Sequence, residues 1–382
     1  MAWTQGIAVL LALGVGLLPA SGSAQVGDTE RWVPLSTTGN PGARREHAAV
    51  WSGTELLVVG GTSCGGRCGP GPIPPPGWRQ GGRYNTVTNT WRSMADPPTT
   101  SIDAAVWDGS EMLTFGEGGL AYDPVRDAWR TLPATGAPAA RTQGVVVWTG
   151  AEMLVWGGSG AASDFADGAR FNPTTNTWRP ISPNGAPGPR FNPVGVWTGS
   201  QLLVWGGQDI GTALSDGAAY DPATDTWVPI SSDGEPTPRS AATGVWSGSE
   251  LLIWGGTASP GAILDGARYD PALDRWATIA TDGGPDQAVQ HTAAVWDGFE
   301  LLIWVNDHGM AYDPAADRWR PLPTQGAPSP RISTELPLAS VWTGAEWIIW
   351  GGLSLATLET LDDGAGYFPP PPPPPPGPVP SK

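Results

Sequence analysis

Lysine is nearly missing from this chain: of 382 residues only Lys382 is one, so the remaining permanent positive charge is arginine. Positive charge is short as well, with 20 Lys and Arg against 36 Asp and Glu for a formal net charge of −16. A general nucleic-acid or anionic-membrane binder needs a basic footprint, so both classes are excluded. Cysteine occurs only as Cys64 and Cys68, and two thiols without a nearby histidine cannot complete a zinc site. No phosphate-binding loop, nucleophile–base motif or metal motif is present, so neither a cofactor nor a metal is expected. Beyond the N-terminus no apolar run exceeds strand length, which excludes a membrane-spanning helix. With 54 glycines and 42 prolines, long helices are excluded too. That content signals disorder unless it is periodic, and here it is periodic.

The N-terminus carries one export signal. Ile7 to Leu18 is an apolar run, too short to span a bilayer, and small residues follow it down to Gly22-Ser23-Ala24. Residues 1–24 read as a signal peptide cleaved after Ala24, with Ala20 as the second choice, although no Lys or Arg precedes the run. A secreted, periplasmic or cell-surface protein follows. In that compartment Cys64 and Cys68 are expected to form a disulfide closing one small loop. Without a cysteine at the cleavage point, no lipid anchor is expected.

The repeat decides the fold. Trp129, Trp178, Trp227 and Trp276 stand 49 residues apart, a period that in an all-β pattern means propeller blades. Each unit runs from a Trp-x-Pro-Ile strand through Gly-x-Pro-x-x-Arg to an apolar run ending in Trp. A Thr-Gly or Ser-Gly turn follows, then Leu-Leu-Val-Trp-Gly-Gly, a variable loop and Tyr-Asp-Pro-x-x-Asp-x-Trp. Short apolar runs bounded by turn residues are buried strands, so each unit is four antiparallel strands, a to d. Strand a ends seven times, at Trp51, Trp107, Trp148, Trp197, Trp246, Trp296 and Trp342. Strand d begins only six times after such a set, and Trp32-Val33-Pro34-Leu35 is a d-type strand with nothing before it. The expected architecture is therefore an all-β, seven-bladed propeller over residues 31–368, closed when the N-terminal strand completes the last blade. Closure removes an open edge. Nineteen of the 22 tryptophans fall at three recurring positions and read as packing between blades. Residues 369–382 form a proline-rich tail of polyproline II type.

The diglycine after strand b, the Tyr-Asp-Pro-x-x-Asp-x-Trp hairpin and the arginine before strand a together resemble kelch repeats. The diglycine stands at Gly60-Gly61, Gly157-Gly158, Gly206-Gly207, Gly255-Gly256 and Gly351-Gly352, while blades 2 and 6 depart with Gly116-Glu117 and Val305-Asn306. The resemblance implies a seven-bladed propeller that serves either as a binding module or as an enzyme. Copper radical oxidases of this fold need loop tyrosines and a Cys–Tyr crosslink. All six tyrosines here sit at the repeated strand c position, so that activity is rejected. A kelch-type sialic-acid epimerase would use arginines for a sugar carboxylate.

The site is expected on the face bearing the d–a and b–c connections, because length variation concentrates there and function tends to live on variable loops. Arg44, Arg141, Arg190 and Arg239 each lie seven residues before a strand a Trp, with Arg331 displaced by an insertion. They form either a guanidinium ring for carboxylate groups at the channel mouth or pairs with Asp167, Asp216, Asp265 and Asp363. His47, His291 and His308 point to the same face, and blades 1 and 6 are too far apart for a joint metal or acid–base site. His47 and His291 complete the candidate ligand-binding set. Glu55, Glu111, Glu152, Glu250, Glu300 and Glu346 recur on the other face and read as solvated turn residues rather than a cation site. The resulting expectation is a monomeric binding module for an acidic peptide or a carboxylated glycan, with an acidic-sugar enzyme and a structural surface protein as alternatives.

Overall fold

The computed structural model describes residues 30–63, 81–99, 102–259, 261–287 and 290–371. The expected signal peptide, the Cys64–Cys68 pair, Trp78 and the tail beyond residue 371 lie outside the described residues.

Seven four-stranded antiparallel sheets stand in a ring. Blade 4 is representative: strands Val194–Trp197, Leu202–Trp205, Gly217–Asp221 and Thr226–Pro229 pair in chain order. The seventh blade joins Ser340–Trp342, Trp347–Trp350 and Gly364–Phe368 to the N-terminal strand Arg31–Pro34, with Trp32 opposite Tyr367. Strand a of every blade lies beside strand a of the next, all the way round from blade 7 to blade 1. Among the described residues no helix is long and apolar enough to cross a membrane.

Each recurring sequence element has a mechanical reason. In the a–b turns, Gly53, Gly109, Gly150, Gly199, Gly248, Gly298 and Gly344 hold φ between 91° and 107°. The residue before each glycine pairs with strand b, as Ser52 N does with the Glu55 carbonyl at 2.9 Å. The two connecting residues are thus the glycine and its successor, one step later than the Ser-Gly and Thr-Gly pairs suggest, with glycine at the position that needs positive φ. In the c–d turns the tyrosine hydroxyl donates to the last aspartate, at 2.6 Å for Tyr122–Asp127, Tyr220–Asp225, Tyr269–Asp274 and Tyr312–Asp317. That same aspartate accepts from the preceding blade, as from Ser182 N to Asp225. Tyr-Asp-Pro-x-x-Asp is therefore both a turn and a tie between blades.

The core lies between blades. The strand b tryptophan of one blade meets the strand d tryptophan of the next: Trp156–Trp227 and Trp205–Trp276 at 5.3 Å, Trp254–Trp319 at 4.6 Å, Trp304–Trp32 at 5.8 Å and Trp350–Trp91 at 5.2 Å. Such pairs contribute about 0.5–1.5 kcal/mol each beyond the area they bury. The tryptophans are structural, as their spacing implies.

Candidate functional site

Small residues at the strand a starts keep the axis open. Ala49, Ala105, Gly144, Gly195, Gly244 and Ala294 line a central cavity of about 360 Å³ to which all seven blades contribute. On the face of the d–a and b–c connections its rim is built from unusual backbone. Glu46, Gln143, Asn192, Ala241 and His291, at equivalent positions in five blades, hold φ between 51° and 58°. Residues other than glycine seldom adopt this conformation. Here it turns each carbonyl toward the next blade, so that Asn192 N donates to Gln143 O, Ala241 N to Asn192 O, His291 N to Ala241 O and Leu338 N to His291 O, at 2.8–3.3 Å. The strain is offset by a girdle of hydrogen bonds around blades 3 to 7.

Of the two readings of the arginine set, the geometry provides the pairs with loop aspartates and not the open ring. Arg44, Arg141, Arg190, Arg239 and Arg331 are at most 4% exposed. Arg190 shows why. Its Nη1 donates to the carbonyls of Gly206 and Asp216 at 3.0 Å, its Nε to Gly188 O at 3.0 Å, and its Nη2 to Asp216 Oδ2 at 2.9 Å. Arg141, Arg239 and Arg331 pair in the same way with Asp167, Asp265 and Asp363. Among the described residues Arg44 has carbonyl partners alone, including Gly60 O at 3.1 Å and Pro41 O, and burial lowers its pKa to about 10. Only Arg141, over whose guanidinium Phe165 stacks, keeps an Nη2 without a hydrogen-bond partner among the described residues.

These arginines explain the diglycine. The first glycine's carbonyl receives the arginine of its own blade, while the second glycine's N–H meets the arginine carbonyl of the next. Gly207 N donates to Arg239 O at 2.9 Å, and a side chain at Gly206 would sit 2.9 Å from that same oxygen. Arginine and diglycine form one inter-blade rivet. Blades 2 and 6, which depart from the diglycine, also lack the arginine, with Thr100 and Val289 in its place. That joint absence is the sequence signal for a structural role.

Three carboxylates of the opposite face are likewise occupied. Glu55 lies buried between Arg83 and Arg92, at 2.6 and 2.8 Å, while Glu111 holds Arg130 and Glu300 holds Arg320. For these three the expectation of solvated turn residues is corrected: each anchors strand c or d of its own blade.

What surrounds the cavity mouth is acidic. The insertion before strand a of blade 7 crosses it. Thr334 Oγ1 accepts from Arg45 at 2.7 Å and donates to Glu46 at 2.8 Å, and Gln143 Nε2 reaches the Glu335 carbonyl at 3.2 Å. Asp103 lines the cavity with an Oδ2 that has no partner among the described residues. Burial, then the charges of Glu117, Glu46 and Glu335, raises its pKa to about 6. The histidines stay separate. His308 pairs with Asp307, His291 belongs to the girdle, and His47 packs edge-on against Trp350 at 5.1 Å.

His47 supplies a pH prediction. Burial, then the charges of Arg44 and Arg331, lowers its pKa to about 3, and burial takes His291 to about 4, both from 6.5. A base whose folded value is depressed stabilises the fold above the unfolded value and loses that contribution as pH falls toward the folded one. Stability is therefore expected to decline between pH 6.5 and about 3–4. Asp103 acts in the opposite sense, since its raised value favours the fold below about 6. Urea titrations at neutral and acid pH check this: His47→Leu should retain more of its neutral-pH stability in acid than the parent does. Equal acid losses in both would rule out His47 as a source.

A family model described as the KLHDC2/KLHL20/DRC7 Kelch-repeats domain matches residues 106–304, just over half of the chain. The chain belongs to the kelch-repeat family. A search of curated proteins returned no match. The matched segment runs from the end of strand a in blade 2 to the end of strand b in blade 6. The mouth residues contributed by blades 1 and 7 lie outside it.

Proposed function

We propose that this kelch propeller is an exported protein-interaction module that engages its partner through the face carrying the d–a and b–c connections. The contrast between the two faces carries the reading. On one, the a–b and c–d turns repeat with nearly fixed geometry. On the other, the cavity opens and the connections differ from blade to blade, with small hairpins in blades 4 and 5, an insertion in blade 7 and almost no b–c loop in blades 2 and 6. A rigid scaffold displaying unequal loops suits recognition. Export rests on the apolar run Ile7 to Leu18 and the small residues after it.

An acidic peptide or carboxylated glycan as ligand drew its support from open arginines. With those groups occupied inside the blades, that support narrows to the unpartnered Nη2 of Arg141 at the cavity wall. An enzyme acting on an acidic sugar would draw on the same arginines and gains no separate observation.

A photo-crosslinking amino acid at Leu264 or Leu355, on the loop face, is expected to yield partner adducts in the source organism, with few from Val87 or Val125 on the other face. All four positions are exposed. Adducts confined to Val87 and Val125 would sink the reading. The N-terminus of the protein recovered outside the cytoplasm, read by mass spectrometry, tests cleavage after Ala24.

A further inference from the structure

The b–c connection of blade 4 is a small hairpin in which Gln208–Asp209 pairs with Thr212–Ala213. Its turn is Ile210-Gly211, and both residues have positive φ, 45° and 79°. This mirror-image turn normally carries Asn, Asp or Gly at its first position. A β-branched residue there is a genuine outlier. Ile210 is also 90% exposed. The side chain therefore carries two costs, strained backbone and apolar area left in water, and packing within the chain repays neither. Such strain clusters at ligand clamps and other functional sites.

The surroundings define what would cover it. Ile210 N approaches Asp164 Oδ2 of blade 3 at 3.5 Å, and the blade 5 hairpin Thr257–Ala258/Gly261–Ala262 lies beside Thr212–Ala213. Leu264 adds a second exposed apolar side chain. The three connections thus form one crest. Among the described residues its basic side chains are Arg141, Arg190 and Arg239, 0–1% exposed, while their partners Asp167, Asp216 and Asp265 are 52–67% exposed. Each ion pair shows solvent its negative end alone. Asp164 and Asp209 add further carboxylates, with no exposed cation among the described residues of the crest to balance them.

We propose that this crest is a docking site for a basic protein segment, with Ile210 as the apolar anchor seated against the partner. The proposal rests on the reading that the loop face binds protein, and it adds the partner's chemistry: arginine or lysine against the aspartates, with an apolar contact for Ile210. Charge complementarity selects that occupant, since the crest offers an anionic partner no counter-charge. A contact over Ile210 takes out of water the apolar surface that the free protein leaves exposed.

The test uses the full mature chain and a short fluorescein-labelled peptide of Lys and Leu, with the same peptide carrying Glu for Lys as control. Binding is read by fluorescence anisotropy at low and raised ionic strength. Asn tolerates the left-handed conformation, so Ile210→Asn should leave the melting temperature unchanged or higher. It should nevertheless weaken the Lys–Leu peptide about tenfold, the scale of one buried anchor. Asp164→Asn with Asp209→Asn should flatten the salt dependence, and Val125→Asn on the opposite face should change nothing. Unchanged affinity in Ile210→Asn overturns the proposal. Tighter binding of the Glu–Leu peptide, lost in Ile210→Asn, would overturn the basic partner but keep the loop face. Binding lost only in Val125→Asn would remove both.

Discussion

Arg190→Ala is expected to destabilise the protein by about 3–5 kcal/mol, as when one member of a buried ionic network is removed. The deleted guanidinium leaves the carbonyls of Gly188, Gly206 and Asp216 without their donor at a junction closed to water. A buried acceptor without a partner costs about 1–3 kcal/mol. Arg190→Lys should rescue little, because one ammonium cannot span four acceptors set by a planar fork. Asp216→Asn should cost under about 1 kcal/mol, because that side chain is 62% exposed and its ion pair is partly solvated. Urea unfolding of the three variants gives the comparison. A loss below about 1 kcal/mol for Arg190→Ala would contradict the rivet and return the arginines to the list of free ligand-binding groups.

The second large effect concerns closure. Trp32 is 4% exposed and packs against Trp304, Trp347 and Tyr367 at 5.8, 5.8 and 5.1 Å. Its loss to alanine should cost about 3–5 kcal/mol, the range for a large aromatic removed from a core. Glu30 reinforces the same seam. Its carboxylate accepts from the Tyr367 hydroxyl at 2.5 Å and pairs with Arg320 at 2.7 Å, filling in blade 7 the role that Asp225 fills in blade 4. Removing residues through Leu35 would bare the strand Gly364–Phe368 as an open edge, which invites pairing between copies. The truncated chain is expected to aggregate by light scattering, and a peptide spanning residues 30–38 should restore a monomer by strand addition. A truncated chain that stays monomeric with an unchanged melting temperature would show that the seam is dispensable.

Most of the fold was legible because its determinants are local and repeated. Tryptophan spacing, glycine turns and the Tyr-Asp-Pro-x-x-Asp motif each act within one blade or against its neighbour, and seven copies make the pattern unmistakable. The orphan Trp32 strand revealed the closure for the same reason. The site was legible only in part. The arginine spacing was read correctly, but a periodic arginine is equally consistent with an open ring and a buried rivet. The coincidence of missing arginine and missing diglycine in blades 2 and 6 could have separated the two. Glu46, Asp103, Gln143 and Glu335 carry no shared motif, and they meet only because the ring brings blades 1, 2, 3 and 7 to one mouth. Ile210 looks ordinary in sequence, since only its backbone angle and exposure set it apart.

The sequence by itself determined seven blades, the strand that closes them and the face on which the connections vary, because period, turn chemistry and strand length are short-range properties. Only the tertiary structure decided which charges reach solvent. A guanidinium finds backbone carbonyls or water according to how two blades meet. That meeting hides the arginines and leaves their partner aspartates facing solvent.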